Sequence, residues 1–301
     1  MRYRSLAIYF LLLVVLCAAV IVGARMLGRE GAYLAQFYML TPAVAALITR
    51  LFFYKPRFSD AGLRLGRLTD YIKYWLISLG IVALYFASYT LLGAIQWDLS
   101  GSTFLGRVSE QFAASGQDMA SSLPPGFTPH KMLWVYFIGG LTIFNILPGL
   151  IAGFGEEFGH RGLMFPLLYQ IRPWVGFVIG GLIWFIWHLP LVLVMPQAQP
   201  ARPAWQNILN GIALAIGSIC TFSYLAYVYI RTGSIFVASI AHITLNNASM
   251  ALSYFVVVRD QVLANLGTVL VMVLVVVLLH ARREFGVFPE YFRKLAPLVE
   301  R

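Results

Sequence analysis

Seven side chains that carry charge or hydrogen-bonding groups interrupt runs apolar enough for lipid, and they fall into three helically spaced groups. Glu156, Glu157, His160 and Arg161 lie in GFGEEFGHRGLMF, His188 in LIWFIWHLP, and His242 and Asn246 in ASIAHITLNN. Ionised groups in hydrocarbon are costly unless they are paired or line a wet cavity, so such residues mark a working site. Residues four apart share a helical face, which sets Glu157 beside Arg161 with the acid N-terminal to the base. Glu156, turned by about 100° from Glu157, shares a face with His160 instead. One carboxylate is thereby neutralised locally and the other is left for chemistry. His242 and Asn246 project from one face and can donate to a developing oxyanion. His188 follows Trp184 by one turn and precedes Pro190, which predicts a kink at mid-span that admits water.

Together these groups suit the activation of a water. Glu156 takes the proton, His188 orients or polarises the water, and His242 and Asn246 hold the carbonyl oxygen. HExxH, GxSxG and a paired-aspartate arrangement are all missing from the sequence. The residues leave a metal variant open, with Glu156, His188 and His242 on zinc and one position free.

The elements that must position these side chains are membrane helices. The 301 residues are 60% hydrophobic and 11% charged, where a soluble domain is about a quarter charged. Mean hydropathy is +0.78. The sequence predicts an all-α, polytopic bundle of about eight transmembrane helices, at 5–24, 32–54, 71–95, 132–154, 174–196, 206–230, 234–256 and 260–281. A less hydrophobic helix, 156–170, carries the glutamates. The first apolar run is about 20 residues long, beyond the 7–15 of a signal-peptide core, and is read as a retained span. Cys17 and Cys220 lie in apolar runs, far apart, and read as small buried hydrophobes.

The net charge of +10 resides mainly in connecting segments: Arg2 and Arg4; Arg50, Lys55, Arg57, Arg64, Arg67 and Lys73; and Arg282, Arg283, Arg293, Lys294 and Arg301. That pattern sets topology and does not indicate a nucleic-acid partner. With eight spans, all three clusters share one side, which the positive-inside rule makes cytoplasmic, together with both termini. Segment 96–131 then faces outward, and Phe104, Leu105, Val108 and Phe112 predict a short amphipathic helix within it. The tail, REFGVFPEYFRKLAPLVER, is expected on the cytoplasmic headgroups. The expected organisation is 1–131 for the N-terminal helices and outward segment, 132–281 for the core that carries the site, and 282–301 for the tail.

The three groups also match an ordered set of motifs: EExxxR as Glu156–Arg161, FxxxH as Trp184–His188 with Trp in place of Phe, and HxxxN as His242–Asn246. In this the sequence resembles the CPBP (Abi) family, which takes in type II CAAX prenyl endopeptidases, bacteriocin-processing proteins and related bacterial membrane proteins. The resemblance covers roughly 135–255. It implies an intramembrane endopeptidase with its site in a cavity between helices, in the bacterial cytoplasmic membrane. It also implies a membrane-associated peptide or protein as substrate. Carried over, Glu156 is the base, Glu157 and Arg161 support the site, and His188, His242 and Asn246 complete it. On that resemblance the expected site works without a cofactor, zinc being the alternative. Two other classes fit the polar spans: a non-catalytic peptide-binding or bacteriocin-immunity protein, and a proton-coupled transporter. Cleavage lost in Glu156→Ala separates the first from an enzyme, and a transporter calls for inverted repeats that the sequence does not display.

Overall fold

The computed structural model describes residues 2–27, 36–114, 116–142, 146–191 and 203–300. Helix α1 spans Arg2–Met26, a one-turn 3₁₀ segment covers Gln36–Leu40, and α2 is Thr41–Phe52. Helix α3 is Leu68–Leu91, α4 Ser102–Ala114 and α5 Pro129–Leu141. Helix α6, Ile146–Gly159, passes through a π-helical turn, His160–Met164, into α7, Phe165–Tyr169. A second π-helical turn, Val175–Ile179, leads into α8, Gly180–His188. Helices α9 (Ala204–Thr232), α10 (Ile235–Ser253), α11 (Gln261–Ala281) and α12 (Val287–Glu300) complete the chain.

Among the described residues, five helices are long and apolar enough to cross a membrane: Tyr3–Met26, Leu68–Leu91, Ala204–Thr232, Ile235–Ser253 and Gln261–Ala281. The expected spans at 32–54 and 174–196 correspond to shorter apolar helices, Phe37–Phe52 and Val175–His188; residues 32–35 and 192–196 lie outside the described ones. The expected span at 132–154 is divided between α5 and α6, with 143–145 also outside them. Thr142 leaves α5 in an extended conformation, and Pro148 sits in the first turn of α6, where a missing N–H costs nothing. A separate helix beginning at 156 does not form. No breaker separates the glutamates from what precedes them, so they ride near the end of α6.

Local chemistry fixes the helix ends. Gly233, with φ of 65°, ends α9 and donates its N–H to Tyr229 O at 2.7 Å. Ser234 then starts α10, its hydroxyl accepting from Val237 N at 3.3 Å. Asp260 caps α11 through the amides of Val262 and Leu263. Helix α10 is the central element, packed on α3, α5, α6 and α9. Helix α6 packs in turn on α2, and α8 on α9. Two glycines permit α6 to approach α2 and the 3₁₀ segment that precedes it. A Cβ at Gly155 would meet Met39 O at 3.0 Å, and one at Gly159 would overlap the Pro42 backbone.

The all-α expectation omits one feature. Ile95–Trp97 (β1) pairs antiparallel with Val256–Val258 (β2), in register Ile95 with Val258 and Trp97 with Val256, and so ties the end of α3 to the end of α10. Beside this ribbon α4 packs as an amphipathic helix. Its Leu105 is buried with Met119, Leu133 and Phe255, and the Phe104 ring lies 4.4 Å from that of Tyr254. The tail does more than rest on a surface: Phe288 and Phe292 are buried against Phe165, Tyr169 and Phe177.

Asp98 organises the start of α4. Its carboxylate accepts from the Ser100 hydroxyl at 2.5 Å and from the Thr103 N–H at 2.8 Å. Hydrogen bonds from Ser100, Thr103 and Ser102 hold this carboxyl below the usual aspartate range. A carboxyl lowered by folding stabilises fully above its unfolded value of about 3.9, and that contribution is lost as pH falls through the lowered folded value. Asp98→Ala is therefore expected to speed amide exchange at residues 102–105 at neutral pH. Unchanged protection there would refute the assignment.

Candidate active site

Three helices converge on the polar cluster: the end of α6 with its π-helical turn, the end of α8, and the middle of α10. Glu156, Glu157, His160, Arg161 and His242 are all buried. Arg161 Nη1 donates to Glu157 Oε1 at 2.9 Å, the i,i+4 pair that the spacing predicts. The same oxygen lies 2.9 Å from His242 Nδ1. An ionised carboxylate only accepts, so His242 donates from Nδ1 and its Nε2 is left for other partners. His242 is thus tied to Glu157, a contact between distant helices that spacing along one helix does not reveal. The rest of the guanidinium is covered by rings: its carbon lies 4.1 Å from the Phe222 centroid and 5.1 Å from that of Trp184.

Glu156 has a different environment. Its Oε2 accepts from Trp184 Nε1 at 2.9 Å and lies 3.6 Å from His188 Nε2. His188 Nδ1 is 2.8 Å from the Trp184 carbonyl, which can only accept, so the Nδ1 position carries the proton. In the neutral ring Nε2 is then a lone pair directed at a carboxylate oxygen too distant for a direct bond. His160, which shares the Glu156 face by spacing, turns elsewhere. Its Nδ1 is 3.5 Å from Tyr9 Oη, and its ring packs edge-on to Trp187.

His188 is the last residue of α8 and the Leu189 N–H bonds to Ile186 O, so the helix is interrupted beside Pro190, as the sequence predicts, and Leu191 is helical again. The proline removes the donor that would continue the ladder, and residues 192–202 lie outside the described ones. Asn246, one turn beyond His242, is exposed. It lines a partly polar hollow of about 380 Å³ with Trp184, Ser218, Thr221, Ser249 and Asn265. Trp187, one turn along α8 from Trp184, lines an apolar hollow of about 390 Å³ with Phe10, Leu13, Cys17 and Ile183. Among the described residues no three His, Cys, Asp or Glu side chains are grouped to hold a metal ion.

Two participants are less evident in the sequence. Trp184 departs from the motif's phenylalanine, and the departure supplies an N–H that phenylalanine lacks, aimed at Glu156. Arg50, counted by charge among the loop cations, is instead buried. It pairs with Asp60 at 2.6 Å and donates from Nη2 to the carbonyl of Gly162 in the π-helical turn. The residue four beyond Gly162 is Pro166, which has no N–H to give that carbonyl, and Arg50 supplies the donor. Pro166 at i+4 and a lone Asp60 in a basic linker were the available signals.

Residues 138–248 match the family model described as type II CAAX prenyl endopeptidase Rce1-like, which supports the resemblance drawn from the motifs. No curated protein matches the chain.

The two glutamates should separate by stability. Glu157→Gln strands a buried guanidinium and is expected to cost on the order of 3 kcal/mol or more. Glu156→Gln keeps an acceptor for Trp184 and should leave the thermal midpoint in detergent close to that of the unsubstituted protein. Equal losses in a thermal-shift measurement would show that the carboxylates are not divided in this way.

Proposed function

We propose, on the premise that this chain belongs to the CAAX protease and bacteriocin-processing family, that it is an intramembrane endopeptidase acting on a membrane-associated peptide or protein. The observation that carries this reading is the contrast between the two carboxylates. Glu157 is committed to Arg161 and His242, whereas Glu156 faces the free Nε2 of His188 at 3.6 Å. Two acceptors at that spacing suit one water that donates a proton to each.

In the proposed reaction that water attacks the scissile carbonyl carbon as Glu156 takes its proton. The tetrahedral oxyanion is held by His242, donating from Nε2 when protonated, and by Asn246. Collapse breaks the C–N bond, and the proton on Glu156 passes to the leaving amine. Trp184 fixes the Glu156 carboxylate, while Glu157 and Arg161 hold His242 in orientation. The polar hollow beside Trp184 and Asn246 offers a route for water, and the apolar hollow beside Trp187 offers a surface for a hydrophobic portion of substrate. We read the site as lying in an intramembrane cavity of a bundle that crosses about eight times in all, and as working without a metal. A zinc ion would draw on Glu156, His188 and His242. His242 would have to use Nε2, since Nδ1 is held by Glu157.

The test is cleavage of a peptide library by the purified protein. Glu156→Gln should abolish turnover, and Trp184→Phe should lower kcat/KM about tenfold, the loss of one hydrogen bond to a charged group. Activity that survives Glu156→Gln would remove the proposed base. One tightly bound zinc per chain, with activity tracking its occupancy, would replace the metal-free scheme.

The orientation we propose, in the bacterial cytoplasmic membrane, puts both termini and the segment 53–67 in the cytoplasm, as the placement of lysine and arginine suggests. In a Cys17→Ala/Cys220→Ala background, an impermeant thiol reagent should label Gln117→Cys in intact cells and spare Ser59→Cys and Arg293→Cys. The reverse pattern would invert the topology.

A further inference from the structure

We infer that the partly polar hollow between α9, α10 and α11 takes the extended, uncharged backbone of the substrate next to the bond that is cut, an assignment that rests on the endopeptidase reading. The hollow, of about 380 Å³, is lined by three pairs of uncharged polar residues spaced i,i+3. They are Ser218 and Thr221 on α9, Asn246 and Ser249 on α10, and Asn265 and Thr268 on α11. Residues three apart lie one above the other on a helical face, about 4.5 Å apart along its axis. Three helices thus turn a polar edge toward one space, within segments apolar enough to cross a membrane. Trp184 joins this space to the proposed base. Its side chain lines the hollow, and its Nε1 donates to Glu156 at 2.9 Å.

The lining divides into fixed and free groups. On α11 both members of the pair are held. Asn265 accepts from Gln261 Nε2 at 3.1 Å and donates to Asn210 Oδ1. Thr268 donates to Ala264 O at 3.3 Å, and its Oγ1 lies 2.5 Å from Tyr89 Oη. The side chains of Ser218, Thr221, Asn246 and Ser249 make no hydrogen bond among the described residues. Other hydroxyls on the same two helices turn back on their own backbone: Ser223 donates to Ile219 O at 2.8 Å, Ser239 to Ile235 O at 2.9 Å and Thr244 to Ile240 O at 2.7 Å. Polar residues that only join helices bond across the interface, and these four do not. Hydrocarbon cannot serve them either, so the hollow suits a guest that offers donors and acceptors without charge. A peptide unit is such a guest, with one N–H and one C=O. A scissile bond has to leave its own helix to meet Glu156, and every unit unwound in this way needs partners. Water meets the four groups in the resting protein and yields to the peptide.

The experiment uses the full chain in neutral detergent with Glu156→Gln, so that a bound peptide stays whole. A pool of capped, uncharged hexapeptides is offered, and what remains bound is identified by native mass spectrometry. At least one peptide should be retained. Methylation of its backbone nitrogens, which removes the N–H donors, should weaken retention about tenfold, and so should Ser218→Ala/Thr221→Val/Ser249→Ala. Ser223→Ala/Ser239→Ala/Thr244→Val, which removes as many hydroxyls whose bonds are already made, should retain the peptide as the parent does. Monoolein, an uncharged lipid with hydroxyl groups, should not displace it. Should the first triple variant fold poorly, Ser249→Ala alone should weaken retention about threefold. Retention of no peptide, indifference to N-methylation, displacement by monoolein, or an equal loss in the second triple variant would each overturn the assignment. A peptide held in this hollow but never cut when Glu156 is restored would reject the endopeptidase reading and leave the peptide site standing.

Discussion

Oxygen Oε1 of Glu157 takes hydrogen bonds from Arg161 and from His242, each at 2.9 Å, and this double acceptance joins α6 to α10 through a region with no bulk water. A low dielectric makes an unpaired charge costly and a satisfied network rigid. Glu157 meets part of that demand through one oxygen, while its Oε2 and the Nε and Nη2 of Arg161 are buried without a hydrogen-bond partner among the described residues. The cluster contains two carboxyl groups and one guanidinium, with His188 and His242 beside them.

Helix α8 converts that arrangement into a site with two approaches. Trp184 and Trp187, three residues apart, present indoles to different sides. Trp184 reaches Glu156 and borders the partly polar hollow. Trp187 stacks on Tyr38 with centroids 5.3 Å apart, donates to Thr41 at 3.2 Å and borders the apolar one. His188 lies beside both rings, at 5.0 and 4.5 Å. The two hollows beside this short helix therefore differ in character, the one at Trp184 partly polar and the one at Trp187 apolar.

The sequence made the membrane class, the amphipathic α4 and the pairing of Glu157 with Arg161 legible, because each follows from composition or from helical period. It did not disclose contacts made between helices. His242 was legible as one face with Asn246, yet its partner lies 85 residues away. Arg50 was read by charge alone, and charge without burial points to a loop. The Trp184 departure from the motif was visible, but the direction of an indole N–H depends on the helix opposite. The β1–β2 ribbon escaped because three valines after a span read equally well as its continuation.

The guanidinium of Arg50 is made long before the carbonyl it serves. Asp60 follows it by only ten residues and can neutralise it at once, but Gly162 emerges more than a hundred residues later. Pro166 has no N–H to offer that carbonyl, and the buried arginine offers one instead. The first two helices thus contribute to the π-helical turn through a single donor, which Asp60 holds in place. The segment 138–248 bears every motif residue, yet one carbonyl of its π-helical turn takes a hydrogen bond from Arg50, outside that segment.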